Sequence, residues 1–341
     1  MKLASDNTAG ASPEILEALI EANKGAVGCY GADSWSKSLN ETLSEIFEKE
    51  VAAFPVLTGT AANSLALATL TPSHGGVFCH ELSHIYHDEY GAPEFFSGGA
   101  RLNPIAGING KLGLDAIKAM EVRFPAGDAH RMAPTTISVT QLTEYGTAYS
   151  LDELAAIGDY AKTKDLALHM DGARFANALV STGCSPAEMT WKVGVDALSF
   201  GATKNGALAA EAVIFFDKSN ARSFEIKRKR SGHLLSKLRF MSAQLAAYLK
   251  DDLWIRNAQN ANQQAKKIAT LLEAASDCSL AYPVDGNMLF ARIPDDKQNK
   301  LKGLGFEFYE IPEYGEGIVR MVTAFNTSSN DVAAIEDVIR S

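Results

Sequence analysis

The spacing of apolar positions changes character three times along the chain. Ile15, Leu16, Leu19 and Ile20 recur at helical intervals behind a Ser12-Pro13-Glu14 start and stop at Gly25. That order of capping serine, first-turn proline and terminal glycine predicts a helix. Residues 1–12 show no period and are read as an irregular arm. Leu39, Leu43, Ile46 and Phe47 fall on one face and predict a second helix over about 40–50. Short apolar runs then follow at 52–57, 77–79, 136–140, 166–170, 197–200 and 212–216, with helical patterns between most of them. This alternation predicts an α/β domain in which a mostly parallel sheet is flanked by helices. Ser150-Leu-Asp-Glu153 is a capping box that opens a helix over 151–164.

From about residue 234 the pattern turns to long helix. After about 279 it turns to the strand-like runs NMLFARI, FEFYE and GIVRMVT, closed by a helix from about 330. Segregated elements of this kind predict a smaller C-terminal α+β domain. The organisation expected is an arm over 1–12, a large domain over 13–250 and a small domain over 251–341. No repeat or glycine-serine linker separates the two domains, so they are expected to pack closely.

Composition narrows the function classes. Hydrophobic residues at 46% and charged residues at 21% fit a soluble globular protein. A formal net charge of −9 argues against nucleic acid as the main partner. The segment MKLASDNTAG lacks a signal-peptide core, and no apolar run reaches membrane-span length, so a cytoplasmic location and no membrane partner are expected. Cys29, Cys79, Cys184 and Cys278 form no CxxC pair. They suggest neither a metal site nor a disulfide framework, and buried free thiols are expected.

Three segments carry candidate chemistry. In Leu166-Ala-Leu-His-Met-Asp171-Gly-Ala-Arg174 a buried strand ends in a carboxylate, where ligands of open α/β sheets bind; capping of the next helix would also account for Asp171. In Ser199-Phe-Gly-Ala-Thr-Lys204-Asn-Gly206 a lysine follows another strand among small residues. That setting suits a partly desolvated Schiff-base amine, the alternative being a solvated turn lysine. In Leu57-Thr58-Gly59-Thr60-Ala61-Ala62-Asn63 a strand meets a helix start whose backbone N–H groups, with the Thr60 hydroxyl, can cradle a phosphate. The chain contains neither GxxxxGK[ST] nor GxGxxG, so nucleoside triphosphates and dinucleotides are poor candidates.

Together with SDNTAGASPEILEAL, CYGAD, ELSHIYHDE and GIVRMVT, these segments resemble fold-type I pyridoxal-phosphate (PLP) enzymes, and within them the β-eliminating lyase and threonine aldolase family. The likeness covers nearly the whole chain. It implies a PLP-dependent cleavage of L-β-hydroxy-α-amino acids such as threonine, allo-threonine and phenylserine to glycine and an aldehyde. β-Elimination, racemisation and non-catalytic cofactor binding are the alternatives it leaves.

The resemblance assigns Lys204 to the covalent link with the cofactor and Asp171 to the pyridine nitrogen, where a carboxylate keeps the ring protonated. It gives the phosphate to Thr58, Gly59 and Thr60, with Arg239 the best match for an assisting arginine and Lys229 the other cation nearby. The run Lys227-Arg228-Lys229-Arg230 otherwise reads as a mostly solvated helix face. His84 matches the histidine that stacks on the ring, and His87 is read as a surface or supporting residue. Ser5, Arg174 and Arg320 are implied for the substrate carboxylate, which a guanidinium fork suits; a structural ion pair is the alternative for Arg320.

One stretch departs from the pattern. Many relatives carry a histidine in an Asn-Thr-His-Asn-Gly-like loop, whereas Gln141-Leu-Thr-Glu144-Tyr-Gly146 places Glu144 there. The proton acceptor is therefore Glu144, His84 or a water they orient. A homodimer, or a tetramer of two dimers, is also implied, with Tyr30 either a contact across that interface or a packing residue.

Overall fold

The computed structural model describes residues 2–125 and 128–341; Met1 of the arm lies outside the described residues. Its main sheet contains β1 (Ala52–Val56), β2 (Gly75–His80), β3 (Arg101–Ile105), β4 (Ala133–Thr140), β5 (Ala167–Gly172), β6 (Ala197–Gly201) and β7 (Glu211–Phe215), in the order β1-β7-β6-β5-β4-β2-β3. β7 pairs antiparallel with both β1 and β6, and the other neighbours pair in parallel. β1 to β6 therefore all point one way. Every residue of β1, β2, β6 and β7 is buried, which is why these segments read as unbroken apolar runs.

β3 was not legible in the sequence. Its RLNPI is interrupted by Arg101 and Asn103 and carries a proline, which a strand tolerates at a sheet edge, where β3 lies. Helix boundaries shift for comparable reasons. The first helix spans Pro13–Ala22 and is capped by Asn23, with Gly25 in the left-handed region just beyond. The second begins at Ser34, six residues before the periodicity does, because Asp33 Oδ1 accepts the Ser36 N–H at 2.8 Å. Its polar first turn carries no apolar signal. The capping box at Ser150 forms as expected and opens the helix Leu151–Thr163.

The long helical stretch after residue 234 is two helices, Arg239–Leu249 and Leu253–Ala274. Between them Asp251 and Asp252 adopt positive φ values of 51° and 55°. The second of these helices belongs to both cores. Leu253, Trp254 and Ala258 pack with the large sheet, whereas Ala265, Ile268 and Leu272 pack into the C-terminal core. That core is built on a second, antiparallel sheet of β8 (Ser279–Leu280), β9 (Met288–Arg292), β10 (Tyr309–Glu310) and β11 (Ile318–Val322), ordered β10-β11-β9-β8, and on the helix Ser329–Arg340.

The arm is part of this second unit. Leu3 is fully buried in its core, donates its N–H to the Glu307 carbonyl at 2.7 Å and accepts from the Val322 N–H at 2.7 Å. Two other expectations need correction. All four cysteines are free, but only Cys79 and Cys278 are buried; Cys29 is exposed. Arg228 is not on the solvated side of its helix. Its guanidinium lies 5.2 Å from the Phe54 ring centroid and donates to the Pro55 carbonyl, because the Ala221–Arg230 helix packs that face onto β1.

Candidate active site

Because β1, β2, β4, β5 and β6 run the same way, the residues that follow them gather along one edge of the sheet. These are Thr58–Thr60, His84, Glu144, Asp171 and Lys204. Open α/β sheets bind ligands along this edge.

Asp171 is buried and uses its two oxygens differently. Oδ1 accepts the Ala173 N–H at 2.9 Å, which is the local turn that a capping role would predict. Oδ2 accepts from Asn63 Nδ2 at 2.8 Å, and capping does not account for that bond. Asn63 sits one turn into the helix Gly59–Leu70, and its amide also donates to Glu89 Oε1 at 2.9 Å. Glu89, whose side chain is 0% exposed, lies 2.7 Å from His84 Nδ1. A continuous chain thus runs His84–Glu89–Asn63–Asp171. The bond to Glu89 holds the imidazole above its ordinary pKa, and burial holds the Glu89 carboxyl up. With its side chain 41% exposed, His84 keeps an open face toward the cleft.

Glu144 stands beside this chain. Its Oε1 accepts from the His84 N–H and from Thr140 Oγ1, both at 2.9 Å, while Oε2 is buried without a partner. Burial, and then the charge of Asp171, push its carboxyl up to about 7. A carboxyl with one unpaired oxygen and that pKa is suited to exchanging a proton near neutrality. His87, by contrast, is exposed, with only Asp88 near its ring.

Lys204 lies in a tight turn over Thr203–Asn205 that its neighbours immobilise. Asn205 Nδ2 donates to Tyr248 Oη and the Trp254 carbonyl at 2.7 and 2.8 Å. Gly206 has a φ of 111°, and a Cβ there would lie 2.3 Å from Ser12 Oγ. The lysine itself is half-buried and has no hydrogen bond or ion pair among the described residues. Burial, followed by the Arg174 charge, lowers its pKa, while the charges of Asp6, Asp171 and Glu211 oppose that fall. A solvated turn lysine would show neither effect. The amine thus stands close enough to Asp171 for that carboxylate's charge to act on it. Glu211, the first residue of β7, faces Gly201 and accepts the Ala202 N–H at 3.0 Å; burial raises its carboxyl to about 7.

At the end of β1, Thr58 caps the helix Gly59–Leu70 by accepting the Ala61 N–H at 3.1 Å. The amides of Gly59 and Thr60, with no carbonyl one turn back, remain for an anion. Space beside Gly59 is open, since a Cβ built there meets nothing within 4 Å. Arg239 has its contacts elsewhere, donating to the Gly25 carbonyl at 3.3 Å and lying 5.1 Å from the Phe240 ring centroid. Tyr30, half exposed with a φ of 52°, lies under Lys229 Nζ, 5.0 Å from the ring centroid. A packing role inside this chain does not explain that exposure.

The carboxylate-binding candidates also converge. Ser5 and Asp6 belong to the arm, and Asp6 forms a two-bond ion pair with Arg174 at 2.8 and 2.9 Å. Arg320, on β11, donates to the Ala4 carbonyl at 3.0 Å and lies 4.8 Å from the Tyr309 ring centroid; its Nε is buried without a partner. Among the described residues no carboxylate side chain pairs with Arg320. Asp6, Asn63, Glu89 and Glu211 were not singled out in the sequence. Asp6 and Glu89 lie in segments that were, next to Ser5 and five residues after His84. Asn63 likewise closes the Leu57–Asn63 segment, and nothing local marks Glu211.

Comparison with known proteins gives the family and the fold. The β-eliminating lyase family model matches residues 2–294. The low specificity L-threonine aldolase of Pseudomonas aeruginosa is 40% identical over 339 residues, covering 99% of this chain and 96% of its own. An enzyme of the same name from a Pseudomonas sp. is 39% identical over 340 residues, covering 100% and 97%. The solved threonine aldolase of Leishmania major superposes with a TM-score of 0.93 at 26% identity, covering 99% and 98%.

Proposed function

The chain belongs to the β-eliminating lyase family, and we propose that it cleaves L-threonine and related L-β-hydroxy-α-amino acids, allo-threonine and phenylserine among them, to glycine and an aldehyde with PLP as cofactor. The observation that carries this reading is the placement of the Lys204 amine, without a partner among the described residues, close enough to the buried Asp171 carboxylate for its charge to act on it. The residues present fit the cofactor. Asp171 would hold the ring nitrogen, the Gly59 and Thr60 amides with the hydroxyls of Thr58 and Thr60 would hold the phosphate, and His84 would cover the ring. When bound, PLP supplies an aldehyde that captures an amine and a ring cation that takes up the electrons of the broken Cα–Cβ bond.

The protein's own groups do the rest. Burial lowers the Lys204 pKa, which favours its role as nucleophile and proton carrier. Asp171, fixed from both oxygens, keeps a proton at the ring nitrogen. Arg174, Arg320 and Ser5 receive the substrate carboxylate and so fix which bond of Cα stands across the ring. Glu144 accepts the β-hydroxyl proton at its free Oε2 as the Cα–Cβ bond breaks and the aldehyde leaves, and one proton returned to Cα, with the His84–Glu89 pair as a carrier beside Glu144, completes glycine.

Arg239 is assigned to assist at the phosphate, with its Nε, unpaired among the described residues, as the donor left for that purpose. The working form is a homodimer or a tetramer of two dimers. The exposure of Tyr30 and of Leu208, four residues after Lys204, supports this. Among the described residues no helix is long and apolar enough to cross a membrane, and the cytoplasm is the proposed compartment.

The test is direct. Purified protein supplied with PLP releases acetaldehyde and glycine from L-threonine and absorbs visible light, and Lys204→Ala loses both. An absence of aldehyde from threonine, allo-threonine and phenylserine alike would reject the proposal.

A further inference from the structure

Arg174, assigned to the substrate carboxylate, already has one edge of its fork engaged. Its Nε and Nη2 donate to Asp6 Oδ2 and Oδ1 at 2.8 and 2.9 Å. Asp6 is only 2% exposed, and Asn287 Nδ2, just before β9, donates to the same Oδ2 at 3.1 Å. Nη1 of Arg174 has no partner among the described residues. The residues beside Asp6 touch the same region. The Ala4 carbonyl holds Arg320 Nη2, while Ser5 Oγ accepts the Asn7 N–H and keeps its own proton free to donate. Leu3, anchored between Glu307 and Val322, fixes this stretch to the small sheet.

We propose that Asp6 is a positioning residue for the substrate carboxylate: by two bonds it locks the Nε–Nη2 edge of Arg174, so that the Nη1 end of the guanidinium faces the substrate. Residues 4–6 thereby assemble one anion site from Arg174 of the large sheet and Arg320 of the small one. This rests on the assignment of those two arginines to the substrate. An arginine side chain loses considerable rotamer freedom when it grips a ligand, and a carboxylate that has already ordered it removes that cost from binding. The competing view is that Asp6 is a placeholder which the substrate must displace. The two views differ in sign. Removing the negative charge of Asp6 leaves the pocket more cationic, so charge alone would tighten an incoming carboxylate, whereas loss of position loosens it.

The experiment uses the holoenzyme with Asp6→Asn, Arg174→Gln and the double variant. Asp6→Asn is expected to raise the apparent KM for L-threonine about tenfold and to lower kcat less than about threefold. Glycine affinity measured by calorimetry is expected to weaken by a similar factor. In the Arg174→Gln background the Asp6 change is expected to add almost nothing, since both act through one guanidinium; a merely structural role would subtract again. Asp6→Glu, which keeps the charge but displaces it by one methylene, is the second variant should Asp6→Asn fail to fold, with a several-fold rise in KM expected. Unchanged or tighter glycine binding in Asp6→Asn, full additivity in the double variant, or an unchanged KM in Asp6→Glu would overturn the assignment. A wild-type chain that releases no aldehyde is a separate failure: it removes the aldolase reading, and the glycine titration still decides on Asp6.

Discussion

The two walls of the cleft are built in different ways. One is the edge where β1, β2, β4, β5 and β6 end. Its groups are fixed by short bonds among themselves, as in the chain from His84 through Glu89 and Asn63 to Asp171. Beneath it the buried His169 lies 2.9 Å from Ser138 Oγ and 3.0 Å from Ser199 Oγ, tying β4, β5 and β6 together two residues before Asp171. Burial lowers the His169 pKa to about 4, so it stays neutral and structural near physiological pH. The opposite wall is assembled from distant pieces: the arm, Asn287 and Arg320. Few bonds hold these together, but they are long-range and charged. Groups whose pKa values must be tuned sit on the rigid sheet, where burial and neighbours are constant. Groups that need only recognise an anion are brought in from the second unit.

This contrast predicts that substitutions on the sheet wall lower kcat and those on the opposite wall raise KM. The largest effect is expected at Asp171. Asp171→Asn removes the charge that holds the ring proton but keeps the bond geometry, and kcat should fall by about a thousandfold, the scale on which a preorganised charge at a reacting group acts. A loss confined to KM would remove the distinction between the walls.

Glu144 sharpens the same comparison through pH. Its carboxyl accepts a proton only when ionised, and burial holds its pKa at about 7, so kcat/KM should rise with pH through about 7 and level off above it. Glu144→Gln should lower kcat by about a hundredfold and abolish that rising limb. If the limb survives unchanged in the variant, His84 or a water takes the proton instead. The smallest effect is expected from Arg320→Lys, which keeps the charge but loses the planar fork. A KM increase of about tenfold with kcat nearly constant is expected from steady-state kinetics. An equal fall in kcat would place Arg320 in the chemical step.

Several features were legible in the sequence because each depends on neighbours in the chain. The buried strands showed as apolar runs, the Ser150 box as a four-residue motif, and Asp171 and Lys204 as residues just past strand ends. The features missed depend on residues far apart. β3 is hidden because an edge strand need not be apolar, and the helix from Ser34 is hidden because a capping aspartate, not periodicity, sets its start. Arg228 looked solvated because nothing local reveals that its helix packs onto Phe54.

By itself, the sequence determined the buried strands, most of the helices and which side chains stand at the ends of parallel strands. Periodicity and capping act within a few residues, so they can be read in one dimension. Only the tertiary structure decided that Asp6 pairs with Arg174, that Asn63 bridges Glu89 to Asp171, and that Glu144 and Glu211 are buried enough to titrate near neutrality. Those properties come from desolvation and from charges brought close by folding, and both depend on distance in space, not on separation along the chain.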